Sequence, residues 1–122
     1  MLKLLLEEQI TSKVASGLRR CCPGLAVYEM AEWEGGNFIG QPDAACLREA
    51  ACQRLTLVTY DRLTIPLLLK TWADEGRRHG GVVFVDEKTI PQEKASELPR
   101  AMAALAKETA AWEWRDRVYF LR

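Results

Sequence analysis

Residues Leu55–Val85 read LTLVTYDRLTIPLLLKTWADEGRRHGGVVFV, and this one stretch holds two apolar strands with an amphipathic helix between them. Leu57-Val58-Thr59 is a short apolar run ending at Tyr60-Asp61, the pattern of a strand entering a turn. Ile65, Leu68, Leu69, Trp72 and Ala73 recur at helical spacing, with Gly76 near the end of the stripe. After His79-Gly80-Gly81, the β-branched and aromatic run Val82-Val83-Phe84-Val85 has the unbroken apolar character of a strand buried on both faces.

The same alternation extends in both directions. Leu2 to Leu6 reads as a buried strand, and Ile10, Val14, Leu18 and Cys21 mark a helix with Thr11 or Ser12 as its cap. Pro23-Gly24 stops that helix before a second strand over Leu25 to Met30. Glu34 to Pro42, with three glycines, an asparagine and a proline, is a loop. Asp43 opens the next helix, whose apolar positions are Leu47, Ala50, Ala51 and Leu55. Downstream, Ser96 to Ala110 is helical, with Pro99 tolerated in the first turn, and Val118-Tyr119-Phe120-Leu121 is a last strand suited to a sheet edge. Strands alternating with helices predict one α/β domain across the chain, with a mostly parallel sheet covered on both faces.

The 122 residues suffice for a single domain. With 17 Lys plus Arg against 17 Asp plus Glu, no net charge draws the chain onto a polyanion, which argues against a nucleic-acid coating protein. No apolar run approaches the roughly 20 residues that span a bilayer, so no membrane partner is expected. The start, with one lysine followed by Glu7 and Glu8, does not read as a signal peptide, and a cytoplasmic location is the expectation. Cys21, Cys22, Cys46 and Cys52 form no C-x-x-C pair; they are expected to be reduced thiols, mostly packing residues, and zinc is not expected.

In an open parallel sheet, ligands bind where strand carboxyl ends lead into helices. Glu7 and Glu8 follow the first strand, Asp61 follows the Leu57–Thr59 strand, and Asp43 starts the helix before it. If the first and third strands are neighbours, these acids converge, and Mg²⁺ or Mn²⁺ is the natural neutraliser. Each acid also has a plainer use: Asp43 as a helix cap, Asp61 as a turn residue, Glu7 and Glu8 as charges at a helix start. His79 suits a turn, and Arg19-Arg20 and Arg77-Arg78 suit solvated helix ends. Trp112 and Trp114 suit packing on the core or on a second copy of the chain in a homodimer.

The ordered combination of Leu4-Leu5-Leu6-Glu7-Glu8-Gln9-Ile10, Gln41-Pro42-Asp43, Leu57-Val58-Thr59-Tyr60-Asp61-Arg62 and His79-Gly80-Gly81-Val82-Val83-Phe84-Val85 resembles the small bacterial PIN-like proteins. The resemblance implies a three-layer α/β/α sandwich with an acidic pocket for one or two divalent cations, Mg²⁺ or Mn²⁺. It implies a metal-dependent ribonuclease acting on RNA, in many relatives a toxin held by a partner antitoxin. By matching position it assigns Glu7, Glu8, Asp43 and Asp61 to the metal and gives Thr59 the task of orienting a water or a ligand carboxylate. Two departures stand out. Glu7 is one methylene longer than the usual aspartate, and Leu63 occupies a position where many relatives carry a second acid. They motivate an alternative in which the chain is a catalytically degenerate PIN-like module binding a protein partner or RNA.

Overall fold

A computed structural model of the chain describes residues 2–94 and 96–122. These residues form strands β1 (Lys3–Leu6), β2 (Ala26–Glu29), β3 (Thr56–Thr59), β4 (Val82–Val85) and β5 (Val118–Leu121), and helices α1 (Ser12–Cys21), α2 (Asp43–Cys52), α3 (Thr64–Asp74) and α4 (Glu97–Glu108). All strand pairs are parallel, in the order β2-β1-β3-β4-β5, and β5 is an edge strand as its sequence predicts.

Strand side chains alternate between two cores. Leu4, Leu6, Val58, Val83 and Val85 face α1 and α4, joining Val14, Leu18, Met102 and Leu105. Leu5, Leu57, Val82 and Phe84 face the opposite way, joining Leu47, Ala50, Ile65 and Trp72 from α2 and α3. The result is a three-layer α/β/α sandwich. The central strands are apolar throughout because neither face meets water, which is why they read as unbroken runs. On the first face α1 approaches α4 closely enough that a Cβ on Gly17 would lie 2.9 Å from the Pro99 ring.

Local signals set most boundaries. Thr11 caps α1, its hydroxyl accepting from the Lys13 amide at 3.4 Å. Pro99 lies in the first turn of α4, and Gly76 follows α3 with φ +71°. The segment read as a loop carries a short 3-10 turn over Trp33–Gly36. Leu55, expected on the face of α2, lies past that helix and is buried in the approach to β3. Trp112, Trp114 and Tyr119 form an aromatic cluster against the α1/α4 core, with ring centroids 5.4 to 6.5 Å apart. The cysteines depart from expectation: Cys46 is buried, but Cys21 and Cys52 are exposed, and all four are free thiols. Among the described residues no helix is long and apolar enough to cross a membrane.

Candidate functional site at the carboxyl ends of β1 and β3

The strand order reverses direction between β1 and β3: α1 leaves β1 on one face of the sheet, while α3 leaves β3 on the other. The helices therefore diverge above this seam, and open α/β sheets take ligands in the crevice at the carboxyl end of such a reversal. The register pairs Leu6 with Val58, so the next residues, Glu7 and Thr59, stand opposite each other. Both are fixed there: the Glu7 amide donates to Val58 O at 3.1 Å, and Thr59 is fully buried.

The Thr59 hydroxyl donates to Glu7 Oε2 and accepts from the Asp61 amide at 2.9 Å. Asp61 Oδ2 in turn accepts from the Ile65 amide at 2.6 Å, anchoring the first turn of α3. The plain reading of Asp61 thus holds for one of its oxygens. For Asp43 it does not: Pro42 is the residue at the cap position of α2, and Asp43 is the first helical residue. Nor do Glu7 and Glu8 serve a helix start, because α1 begins at Ser12 with no acid in its first turn. Glu8 instead reaches 32 positions along the chain, its carboxylate accepting from the Gly40 amide at 3.1 and 3.3 Å, and so ties the loop ahead of α2 to the end of β1.

These acids feel one another. Burial first, then repulsion from Asp43, Asp61 and Glu8, pushes the Glu7 carboxyl above its ordinary value, against the lowering effect of the Thr59 hydrogen bond. Asp43 is raised by burial and by repulsion from Asp61 and Glu8. Cys46, one turn along α2 from Asp43, has its thiol pushed up to about 11 by burial and by the charges of Asp43, Glu8 and Glu7, so it remains protonated and inert. Among the described residues, no three His, Cys, Asp or Glu side chains lie close enough together to hold a metal ion. The carboxylates gather at one end of the sheet but stand apart.

One residue at this edge, Asp86, belongs to none of the motifs read in the sequence, and Arg62, which lies within one of them, has no role assigned to it there. Asp86 follows β4 directly, as Glu7 follows β1, and its Oδ1 lies 3.7 Å from Arg62 Nη2. The signal was available: an acid immediately after a buried strand marks the carboxyl edge. Arg62 brings a cation to the rim of an otherwise acidic site. His79, by contrast, is a turn residue as expected, its Nδ1 accepting from the Gly81 amide at 3.0 Å at the opposite edge of the sheet. Arg19 and Arg77 are similarly engaged, Arg19 with Val27 O at 2.9 Å and Arg77 over the Trp72 ring at 4.0 Å.

Compared with known proteins, the chain matches no family model, no curated protein and no solved structure.

Proposed function

We propose that the chain is a Mg²⁺- or Mn²⁺-dependent ribonuclease of PIN-like type, with Glu7, Asp43 and Asp61 as the metal-holding acids. The observation that carries the reading is the placement of Glu7, Asp43 and Asp61 around the strand-order reversal, with Glu7 raised by burial and by the charges of Asp43, Asp61 and Glu8, and Asp43 by burial, Asp61 and Glu8. The donor chemistry fits: oxygen ligands on a partly buried acidic surface suit hard divalent cations and not zinc. Hydrogen bonding leaves Glu7 Oε1, Asp61 Oδ1 and the Asp43 carboxylate to serve as ligands. Glu8, held by Gly40, acts through its charge and through the loop it fixes.

A divalent ion bound there supplies positive charge beside a phosphodiester and acidifies water. Thr59 holds Glu7 in one orientation, and the Ile65 amide does the same for Asp61. Arg62, drawn toward Asp86, offers a cation on the rim where a phosphate would approach. The four free thiols accord with a reducing compartment such as the cytoplasm, and the family resemblance brings the toxin role and an antitoxin partner.

The test is RNA degradation by purified protein with Mn²⁺, alongside Asp43→Asn and Asp61→Asn. In the Asp61→Asn variant the side-chain carbonyl can still accept from the Ile65 amide, so helix α3 keeps its anchor while the charge is lost. Cleavage by wild type that disappears in both variants supports the proposal, and equal cleavage by all three proteins removes it. A second reading, a non-catalytic PIN-like module, is favoured by the separation of the carboxylates and by Leu63, 79% exposed beside the crevice. It requires that Mn²⁺ bind no tighter to wild type than to Asp43→Asn in a calorimetric titration.

A further inference from the structure

The opposite end of the sheet carries the reverse charge. Four separate segments, each leading into a different strand, deliver one cation apiece to a single groove of about 500 Å³. Lys3 opens β1, Arg54 precedes β3, Arg78 precedes β4 and Arg115 precedes β5. Glu113 is the acid on the groove wall, and one of its oxygens is turned to the Arg115 amide at 3.4 Å. Arg78 is paired with Asp116 at 3.4 Å. Among the described residues, Lys3, Arg54 and Arg115 have no carboxylate within ion-pair distance. Three unpaired cations around one concavity raise a local positive field that the neutral total charge conceals.

Arg54 adds an independent sign. It follows the C-terminus of α2 with φ +58°, and the Leu55 amide bonds back to Ala50 O at 2.8 Å, the closing contact of a helix-ending turn whose left-handed residue is usually glycine. A side chain in this conformation costs roughly 1 kcal/mol relative to glycine. The position holds an arginine, and its side chain forms part of the groove. The walls are fixed by close backbone approach, since a Cβ on Gly80 would fall 2.5 Å from Leu55 O.

We propose that this groove at the amino ends of the strands binds phosphate groups, either those of an RNA strand or those of a free polyphosphate. Guanidinium groups present paired N–H donors that match phosphate oxygens, and cations from four segments fix a charged group without reading any base. The groove lies a strand's length, about 13 Å, from the acidic crevice. Phosphate held here stays clear of the acids and of any metal they bind.

The experiment omits divalent metal altogether. A fluorescein-labelled oligouridylate and inorganic triphosphate are titrated into the full chain in EDTA, by anisotropy and calorimetry respectively. Failure of the nuclease reading therefore leaves this test intact. The proteins are wild type, Arg54→Gly with Arg115→Gln, and a control with Lys13→Gln and Arg100→Gln on the outer face of α1 and α4. The expected result is affinity weakened at least about tenfold in the first variant and unchanged in the control, with the salt dependence reduced by about one phosphate contact per cation removed. Arg54→Gly relieves the backbone, so a melting temperature equal to or above wild type separates lost binding from lost folding. Binding of the oligouridylate alone identifies a strand as the source, and binding of triphosphate alone identifies a small ligand. If neither probe binds, or if both variants weaken binding equally, the proposal fails.

Discussion

The Thr59 hydroxyl and the Glu7 carboxylate are joined by a hydrogen bond across the β1–β3 seam, 52 positions apart in the chain. That bond links the sheet register to the electrostatics of the site, because the buried threonine lowers the glutamate's proton affinity while burial and the other acids raise it.

Thr59→Val keeps the shape of the side chain and removes the donor, and it also takes the acceptor from the Asp61 amide. A hydrogen bond to a charged group contributes about 1.5–3 kcal/mol, and destabilisation of that order is expected at neutral pH. Thr59→Ser should recover most of it. Denaturant unfolding of the three proteins measures the difference, and a Val variant as stable as wild type would show that the bond contributes nothing.

The carboxyls of Glu7 and Asp43 are raised in the folded chain, from ordinary values of 4.5 and 3.8. The folded state therefore holds these protons more tightly than the unfolded state does. Their contribution to stability is complete below those ordinary values and is lost as pH rises through the raised ones. In metal-free buffer, Glu7→Gln and Asp43→Asn should each raise the melting temperature at neutral pH and have little effect near pH 4. Melting curves across that range give the answer, and variants that are less stable at neutral pH would contradict the proposed repulsion.

Gly80→Ala should destabilise by roughly 1–3 kcal/mol, because the added methyl meets the Leu55 carbonyl, which belongs to backbone and cannot turn aside. At Gly24, where a Cβ would meet nothing within 4 Å, the same change should be neutral or stabilise by about 0.4–1 kcal/mol. Paired chemical unfolding of the two variants tests the contrast; equal effects would refute it.

The fold was legible because its signals are local. Unbroken apolar runs at Leu4–Leu6, Leu57–Thr59 and Val82–Val85 announce strands buried on both faces, and the stripe from Ile65 to Trp72 announces a covering helix. The adjacency of β1 and β3 entered as a condition and is met. The fine use of each acid was not legible, because it depends on distant partners. Nothing near Glu8 in sequence indicates that its carboxylate holds Gly40, and α2 starts one residue earlier than an aspartate cap at position 43 would set it, with Pro42 at the cap position and no side-chain cap bond. The basic groove escaped for the same reason: its four cations are dispersed from position 3 to position 115, one to a turn, and only the parallel stacking of strands brings their turns to one edge.

The parallel sheet gives every strand the same polarity, and two clusters of opposite charge stand at its two ends, Glu7, Asp43 and Asp61 at one and Lys3, Arg54 and Arg115 at the other. With balanced ions overall, two such clusters contribute an electric dipole along the strands. At low ionic strength such particles attract head to tail, so the protein should be salted in, becoming more soluble as electrolyte is added. It should also be retained by cation and anion exchange resins alike, at a pH where its total charge alone would let it flow through both.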